Sequence, residues 1–224
     1  MSRKWIVSLI IISLLIFLLW PNQERVRESS VAMMPWDIEF SSTGKSRVMG
    51  LEIGTSTPAD ASEMFARRGE LALFADEGGT LSAESFFSEL TTGGLSGRII
   101  LNLDLDKAEL EKMAKQAVKR KTMETGSIKY TPSREDRLSL LTLPIVSITY
   151  IPYIDLDMNI IESRFGKPDQ IVTSVTGQKH LLYPLRGMEI ILDDDGKEVI
   201  QYVNRDEFSR IEKALNERNT NPQE

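Results

Sequence analysis

A continuous apolar run near the N-terminus constrains the architecture of this chain more than any other feature. Residues 5–20 are apolar apart from two serines, and Trp5 and Trp20 stand at the two ends of the run. A helix of this length spans about 24 Å, slightly less than a bilayer core of roughly 30 Å, and indole rings favour membrane interfaces. We therefore predict a transmembrane helix over residues 5–20, with residues 1–4 as a cytoplasmic stub.

The residues after the run predict that this helix stays attached to the protein. Signal-peptide cleavage needs small residues soon after the apolar region, but Pro21 and a charged segment follow, and the nearest small pair is Ser30 and Ala32. We expect an uncleaved signal anchor, with a removed signal peptide as the alternative. Because Arg3 and Lys4 precede the helix, we predict a single pass through the inner (cytoplasmic) membrane, with the body in the periplasm or another extracytoplasmic space.

Composition excludes several classes of function. The chain has 224 residues, 27 of them basic and 33 acidic, and its net charge of −6 argues against a general nucleic-acid binder, which needs a basic face. It has no cysteine, which excludes disulfides, thiolate nucleophiles, cysteine-ligated metal sites and a lipid anchor on cysteine. The apolar content of 41% is ordinary for a globular protein, so the body should bury a hydrophobic core.

The residues after the apolar run predict a tether and then a first α+β half. Residues 21–35 are polar and charged, as expected of a flexible tether. Residues 36–121 alternate strand patterns with two helices. The first helix begins after a cap at Thr57 and ends near Gly69, and the second begins after a cap at Asp106.

The rest of the chain repeats this plan. Residues 122–138 predict a linker, residues 139–217 predict a second α+β half, and residues 218–224 predict a disordered tail. The fold class that we predict is α+β: an N-terminal transmembrane helix followed by two similar halves, each an antiparallel sheet packed by helices. Two unrelated α+β segments are the alternative to a duplication.

The second half contains the clearest start and stop signals. Asp155 or Asp157 can cap a helix that ends at Gly166, a residue suited to the left-handed conformation. Asp194, Asp195, Gly196 and Lys197 follow a strand pattern and precede another, which is typical of a hairpin turn.

These residues carry a resemblance to a known family. Residues 158–168 (MNIIESRFGKP), the strand ending at Tyr183 and residues 188–203 (MEIILDDDGKEVIQYV) are similar to the small-protein-A/OmlA (BamE-like) envelope family and to the tandem arrangement of the β-lactamase-inhibitor proteins. The resemblance covers about 45 residues and implies a helix layer on an antiparallel sheet, with a protein-binding role in the cell envelope. The lipidated cysteine of that family is absent, and a helix follows the last hairpin.

We find no motif that requires catalysis, a cofactor or a metal. His180 is the only histidine, and its strand pattern predicts a surface or half-buried structural residue. The sequence Gly-Leu-Ser-Gly-Arg at 94–98 lacks the second glycine of a nucleophile elbow and predicts a hairpin instead. The aspartates at 193–195 are consecutive rather than alternating, which is typical of a solvated turn and not of a calcium loop.

One basic region is the candidate interaction surface. Residues 107–137 hold nine basic and five acidic residues, a net charge of +4 in a chain whose total is −6. On the predicted second helix, Lys112, Lys115, Lys119 and Arg120 lie opposite an apolar stripe. These side chains either form an ordinary solvated helix face or bind anionic lipid headgroups or an acidic partner.

From these patterns we expect a non-catalytic, membrane-anchored, extracytoplasmic protein-binding or envelope-assembly factor. Its expected partners are the membrane, through the N-terminal helix, and an envelope protein, bound on exposed sheet surface or between the halves. The alternative is a ligand-sensing or inhibitory module, which a sizeable apolar pocket would favour. A further alternative is an envelope hydrolase with two carboxylates in one cleft and raised pKa values.

Overall fold

The computed structural model of the protein describes residues 34–92, 95–193 and 197–220. The described residues belong to one compact unit. The helices are α1 (Pro58–Met64), α2 (Lys107–Lys115), α3 (Arg134–Leu140), α4 (Met158–Phe165) and α5 (Ser209–Thr220), with short 3-10 turns at Pro184–Arg186 and Arg205–Glu207.

Strands make up most of the regular secondary structure of the described residues. In chain order they are β1 (Ile38–Phe40), β2 (Ser46–Val48), β3 (Leu51–Glu52), β4 (Glu70–Ala75), β5 (Leu81–Thr92), β6 (Leu95–Leu103), β7 (Lys119–Thr122), β8 (Ile128–Thr131), β9 (Ile145–Pro152), β10 (Gln170–Thr173), β11 (Lys179–Tyr183), β12 (Met188–Leu192) and β13 (Val199–Tyr202).

One long antiparallel sheet organises the described residues. Its ten strands run in the order β10-β11-β12-β13-β9-β6-β5-β4-β8-β7, and β1, β2 and β3 form a separate three-stranded sheet. In the middle of the long sheet β6 pairs with β9, from Gly97 opposite Pro152 to Leu103 opposite Ile145. This ladder joins the two predicted halves into one sheet.

The predicted fold class is therefore corrected on two points. The halves do not have separate sheets, because the β6–β9 ladder makes their strands continuous. Within the described ranges strands predominate and no helix is long and apolar enough to cross a membrane, in contrast to the predicted architecture with an N-terminal transmembrane helix and signal anchor. The residues 5–20 on which that prediction rests, including Trp5 and Trp20, lie outside the described residues.

The first face of the long sheet carries the main core. Side chains alternate along each strand, so one set of residues from every central strand points to this face. Helices α1 to α4 and the three-stranded sheet pack against it. Its members include Leu51, Leu73, Leu101, Leu110, Leu140, Ile148, Ile161, Ile190 and Tyr202.

The second face is covered differently along its length. At the β10–β13 end, Leu182 and Val203 pack against Phe208, Ile211 and Leu215 at and within helix α5 in a smaller apolar cluster. Toward the middle, the residues of this face are polar or half-buried. The sheet therefore has one fully packed face and one face that α5 covers at a single end.

The helix caps read from the sequence are confirmed. The Thr57 hydroxyl accepts a hydrogen bond from the Asp60 backbone N–H, and the Asp60 carboxylate accepts one from the Thr57 backbone N–H, which completes a capping box. The side chains of Asp106 and Asp157 cap α2 and α4 by accepting a hydrogen bond from the backbone N–H of Glu109 and of Ile160, respectively. Gly166 ends α4 with a φ of 81°.

The chain differs from the sequence prediction at two places. The sequence predicts that the first helix ends near Gly69, but α1 ends at Met64 and the positive φ of 49° lies at Ala66. The predicted linker at 122–138 contains β8 and the start of α3. Pairing of β8 with β4 stabilises this segment. The paired residues are 53 to 57 positions apart in the sequence, so no local pattern indicates the contact.

Candidate interaction surface at the basic sheet edge

Strand β7 forms one edge of the long sheet. It reads Lys119-Arg120-Lys121-Thr122, and all four residues are exposed. It pairs with β8 on one side only, and no strand of the described ranges pairs with its other side. An edge of this kind presents unpaired backbone N–H and C=O groups to solvent.

The register identifies which backbone groups face outward. The Met123 N–H donates to the Ser127 carbonyl at 2.8 Å, so these two residues form a hydrogen-bonded pair at the hairpin end. Hydrogen-bonded and non-hydrogen-bonded pairs alternate along an antiparallel ladder. Arg120 and Thr122 occupy non-hydrogen-bonded positions opposite Tyr130 and Ile128, and their backbone groups therefore point to the open edge.

The lysines of this edge lack nearby carboxylates. Lys121 lies directly opposite Lys129 in the ladder, and like charges in that relation repel. Lys129 is neutralised by Glu70, whose Oε1 lies 2.8 Å from its Nζ. Among the described residues no carboxylate lies within ion-pair distance of Lys112, Lys115, Lys119 or Lys121.

The structure divides the predicted helix face between two elements. Lys112 and Lys115 lie in the last turn of α2, whereas Lys119 and Arg120 lie on β7. The helix ends at Lys115 because the chain turns through Gln116, whose side-chain amide donates to both carboxylate oxygens of Asp136 at 2.9 and 3.1 Å.

The two elements still come together around one depression. Lys115 of α2 and Arg120 of β7 both line a shallow, mostly apolar hollow of about 410 Å³, and the other lining residues are Leu81, Glu111, Ala114 and Tyr130. The Arg120 guanidinium lies 5.9 Å from the centre of the Tyr130 ring. We call Lys112, Lys115 and the four residues of β7 the basic edge.

Asp136 supports this arrangement and was not predicted from the sequence. It is 6% exposed, and besides the Gln116 amide it accepts a hydrogen bond from the Ser133 hydroxyl at 2.8 Å. It thereby fastens the start of α3 to the end of α2. The Ser133-x-x-Asp136 spacing, a helix N-cap pattern, is the local signal that could have identified it.

His180 is buried rather than on the surface. It is 3% exposed, and its Nδ1 lies 2.7 Å from Oε1 of Glu189, which is equally buried. Both residues are in the sheet, on the face that α5 covers. Over the part of the chain that the structure describes, no group of three or more histidine and carboxylate residues could hold a metal ion.

Other predicted motifs fall at or beyond the limits of the described residues. Ser96, Gly97 and Arg98 lie in β6, while Gly94 is outside the described ranges. Asp193 follows β12, and residues 194–196 lie outside them. Strands β12 and β13 on either side of this predicted turn pair antiparallel, with Ile191 opposite Val199.

One carboxylate on the second face is perturbed. Burial raises the pKa of Glu84, although a hydrogen bond from Ser82 and the charge of Lys129 act in the opposite direction. The residues directly opposite it in the ladder are Ala72 and Asn102.

Comparison of the chain with protein-family models, with curated proteins and with solved structures found no match. The physical features of the basic edge therefore carry the functional interpretation.

Proposed function

We propose that this protein is a non-catalytic protein-binding module that recognises an acidic, extended segment of a partner protein. The observation that carries the proposal is the basic edge, where unpaired backbone groups and lysines without carboxylate partners occupy one strand. An extended peptide can add to an open sheet edge through main-chain hydrogen bonds, while its side chains provide specificity.

The geometry defines what the added strand must contain. Its backbone would bond to the outward groups of Arg120 and Thr122. Alternate residues share a face of the sheet, so acidic residues two positions apart on the partner would lie beside Lys119 and Lys121. A carboxylate there would also offset the repulsion between Lys121 and Lys129.

Lysines on an edge strand have a second role, because they hinder unwanted pairing between sheets. Two features favour recognition of a partner over protection alone. The positive charge is not confined to β7, because Lys115 of α2 borders the same hollow as Arg120. The resemblance of residues 158–203 to an envelope protein-binding family supports a partner in the cell envelope.

A binding assay on the full chain tests the proposal. The probe is a fluorescent peptide of alternating glutamate and valine, with an alternating lysine and valine peptide as the charge control. We expect the double variant K119E/K121E to weaken binding of the acidic peptide about tenfold, with the affinity falling as salt rises. The matched control K167E/K179E changes the same charge on exposed lysines near β10 and should leave the affinity unchanged.

A second pair of variants tests strand addition itself. Thr122→Pro removes an N–H that points outward, so the ladder with β8 is kept and peptide binding should fall. Thr122→Ala keeps that N–H and should bind like the unaltered protein. Equal affinity in both variants would exclude strand addition, and binding to phosphatidylglycerol vesicles in place of the peptide would assign the basic edge to lipid.

We also propose that the body of the protein is extracytoplasmic. The envelope resemblance and the absence of cysteine, which suits an oxidising compartment, support this location. Protease added to spheroplasts should digest a C-terminally tagged protein. Digestion only after the cells are lysed would place the body in the cytoplasm and refute the proposal.

A further inference from the structure

A largely apolar cavity lies beneath helix α4, well separated in the sheet order from the basic edge. Its volume is about 280 Å³, and residues from α4, from the loop before it and from strands β6, β9 and β13 line it. The lining includes Trp36, Leu95, Ile154, Leu156, Ile160 and Ile200. Ile154 and Ile160 remain 44% and 37% exposed, so the cavity is bordered by apolar surface that reaches solvent.

Arg164 supplies a positive charge at this cavity. Of the described residues that line it, Arg164 alone carries a charge, and no carboxylate of the described ranges lies within ion-pair distance of its guanidinium. The Ser163 hydroxyl donates to the Ile160 carbonyl at 2.8 Å, and the Tyr150 hydroxyl donates to the Ser96 carbonyl at 3.3 Å. These two donors are already used, whereas Arg164 can still bind an anion.

Arg164 is also held in place. Its guanidinium lies 5.0 Å from the centre of the Trp36 ring, and Trp36 in turn packs edge-on against Phe165 with ring centres 5.9 Å apart. A guanidinium stacked on an aromatic face keeps its N–H edge available for a carboxylate. Less side-chain freedom is then lost when an anion binds, which favours affinity.

We propose that this cavity binds a single-chain amphiphile with an anionic head, of the fatty-acid class. The apolar chain would fill the space between α4 and the sheet, and the carboxylate would accept hydrogen bonds from Arg164. The cavity is about twice the size of a 150 Å³ cavity that holds benzene, and it lies just below the usual range for drug-sized ligands. That volume suits one medium-length chain and is too small for a two-chain lipid.

The fluorescence of Trp36, which lines the cavity, can report ligand binding. The full chain contains two other tryptophans, so the variant W5F/W20F leaves Trp36 as the sole indole reporter. In buffer without detergent, decanoate should change Trp36 fluorescence saturably, whereas decyltrimethylammonium should not. Arg164→Gln should weaken decanoate binding about tenfold and leave binding of uncharged decanol unchanged.

Two further variants test whether the ligand occupies the cavity and whether its binding is independent of the basic edge. Ile160→Phe adds volume at the cavity and should weaken both decanoate and decanol, provided that its thermal unfolding midpoint matches that of the unaltered protein. The K119E/K121E variant should bind decanoate normally, so failure of the proposed peptide binding and failure of this site can be distinguished.

Three results would overturn the proposal. They are an unsaturable response to decanoate, an equal loss of decanoate and decanol binding in Arg164→Gln, and competition by phosphatidylglycerol vesicles, which would assign the cavity to a membrane lipid.

Discussion

His180 and Glu189 form a buried side-chain contact between neighbouring strands, with Nδ1 and Oε1 2.7 Å apart. The two residues are not directly opposite in the ladder, since His180 faces Ile191 and Glu189 faces Leu182. Their side chains meet diagonally on the face of the sheet that also holds Leu182 of the α5 cluster. Each side chain is therefore the hydrogen-bond partner of the other, in a layer where water has little access.

Removing one member of this pair should destabilise the folded protein. We expect His180→Leu to lower the free energy of unfolding by about 3 to 5 kcal/mol, because it leaves the Glu189 carboxylate buried without its partner. The double variant H180L/E189L should lose much less than the sum of the single variants. Urea denaturation gives these values, and Glu162→Gln on the exposed side of α4 serves as the control. Additive losses would show that the two side chains do not depend on each other.

The buried tyrosines predict a loss of stability at alkaline pH. Burial raises the pKa of Tyr150 to about 12 and the pKa of Tyr183 to about 12, from an ordinary value of 10.0. Between pH 10 and pH 12 the unfolded chain releases protons that the folded chain retains, so stability is complete below pH 10 and falls as the pH rises toward 12.

Tyrosine-to-phenylalanine variants isolate this effect from the titration of lysines. Tyr150→Phe should unfold more readily at pH 8, because the hydrogen bond from its hydroxyl to the Ser96 carbonyl is lost. Its unfolding midpoint should fall less steeply above pH 10 than that of the unaltered protein. Thermal unfolding followed by circular dichroism gives the unfolding midpoint of both proteins as a function of pH. An equally steep fall of the two midpoints above pH 10 would show that Tyr150 is not responsible for the loss of stability.

Gly97 allows the two central strands to approach closely. A Cβ atom at this position would lie 2.6 Å from the Ile151 carbonyl oxygen and would overlap the Tyr150 ring. We expect Gly97→Ala to lower the free energy of unfolding by about 1 to 3 kcal/mol through overpacking. Gly78→Ala is the matched control, because a Cβ there meets only the Asp76 carboxylate at 3.4 Å. Equal unfolding midpoints for the two variants would show that β6 can move to accept the methyl group.

Asp136 should influence the basic edge from a distance. Asp136→Ala leaves the Gln116 amide without its carboxylate acceptor, and we expect a loss of about 1 to 3 kcal/mol in unfolding free energy. Because Gln116 lies between α2 and β7, the backbone amides of β7 should also exchange with deuterium faster. Hydrogen-exchange mass spectrometry of β7 measures this. Unchanged exchange there, with exchange raised only in α3, would confine the role of Asp136 to its own helix.

Local features of the fold could be predicted from the sequence, and long-range features could not. The caps at Thr57, Asp106 and Asp157 depend on residues within one helical turn; the first two were predicted outright, and Asp157 was one of two candidates with Asp155. The β6–β9 ladder depends on contacts about fifty residues apart, and a strand pattern does not name its neighbour. The prediction of two separate sheets was wrong for that reason.

The same contrast between local and long-range features applies to the candidate site. The excess of positive charge around Lys112 and Arg120 is visible in the sequence, but the helical period assigned both residues to one face. The end of α2 depends on the contact between Gln116 and Asp136, twenty residues apart, and on the pairing of β7 with β8. His180 shares its face of the sheet with Leu182, against which α5 packs, and the strand pattern alone does not indicate that cover.

The central ladder also sets the order in which the chain can fold during synthesis. Strand β6 is complete at Leu103, but the partner that covers its edge, β9, ends only at Pro152. Until the ribosome has released those later residues, the growing chain carries a nine-residue strand with one uncovered edge and an apolar stretch from Ile99 to Leu101, which is an aggregation hazard. The charged segment at 104–137 is made during that interval, and its solubility would help to keep the unfinished sheet from joining another chain.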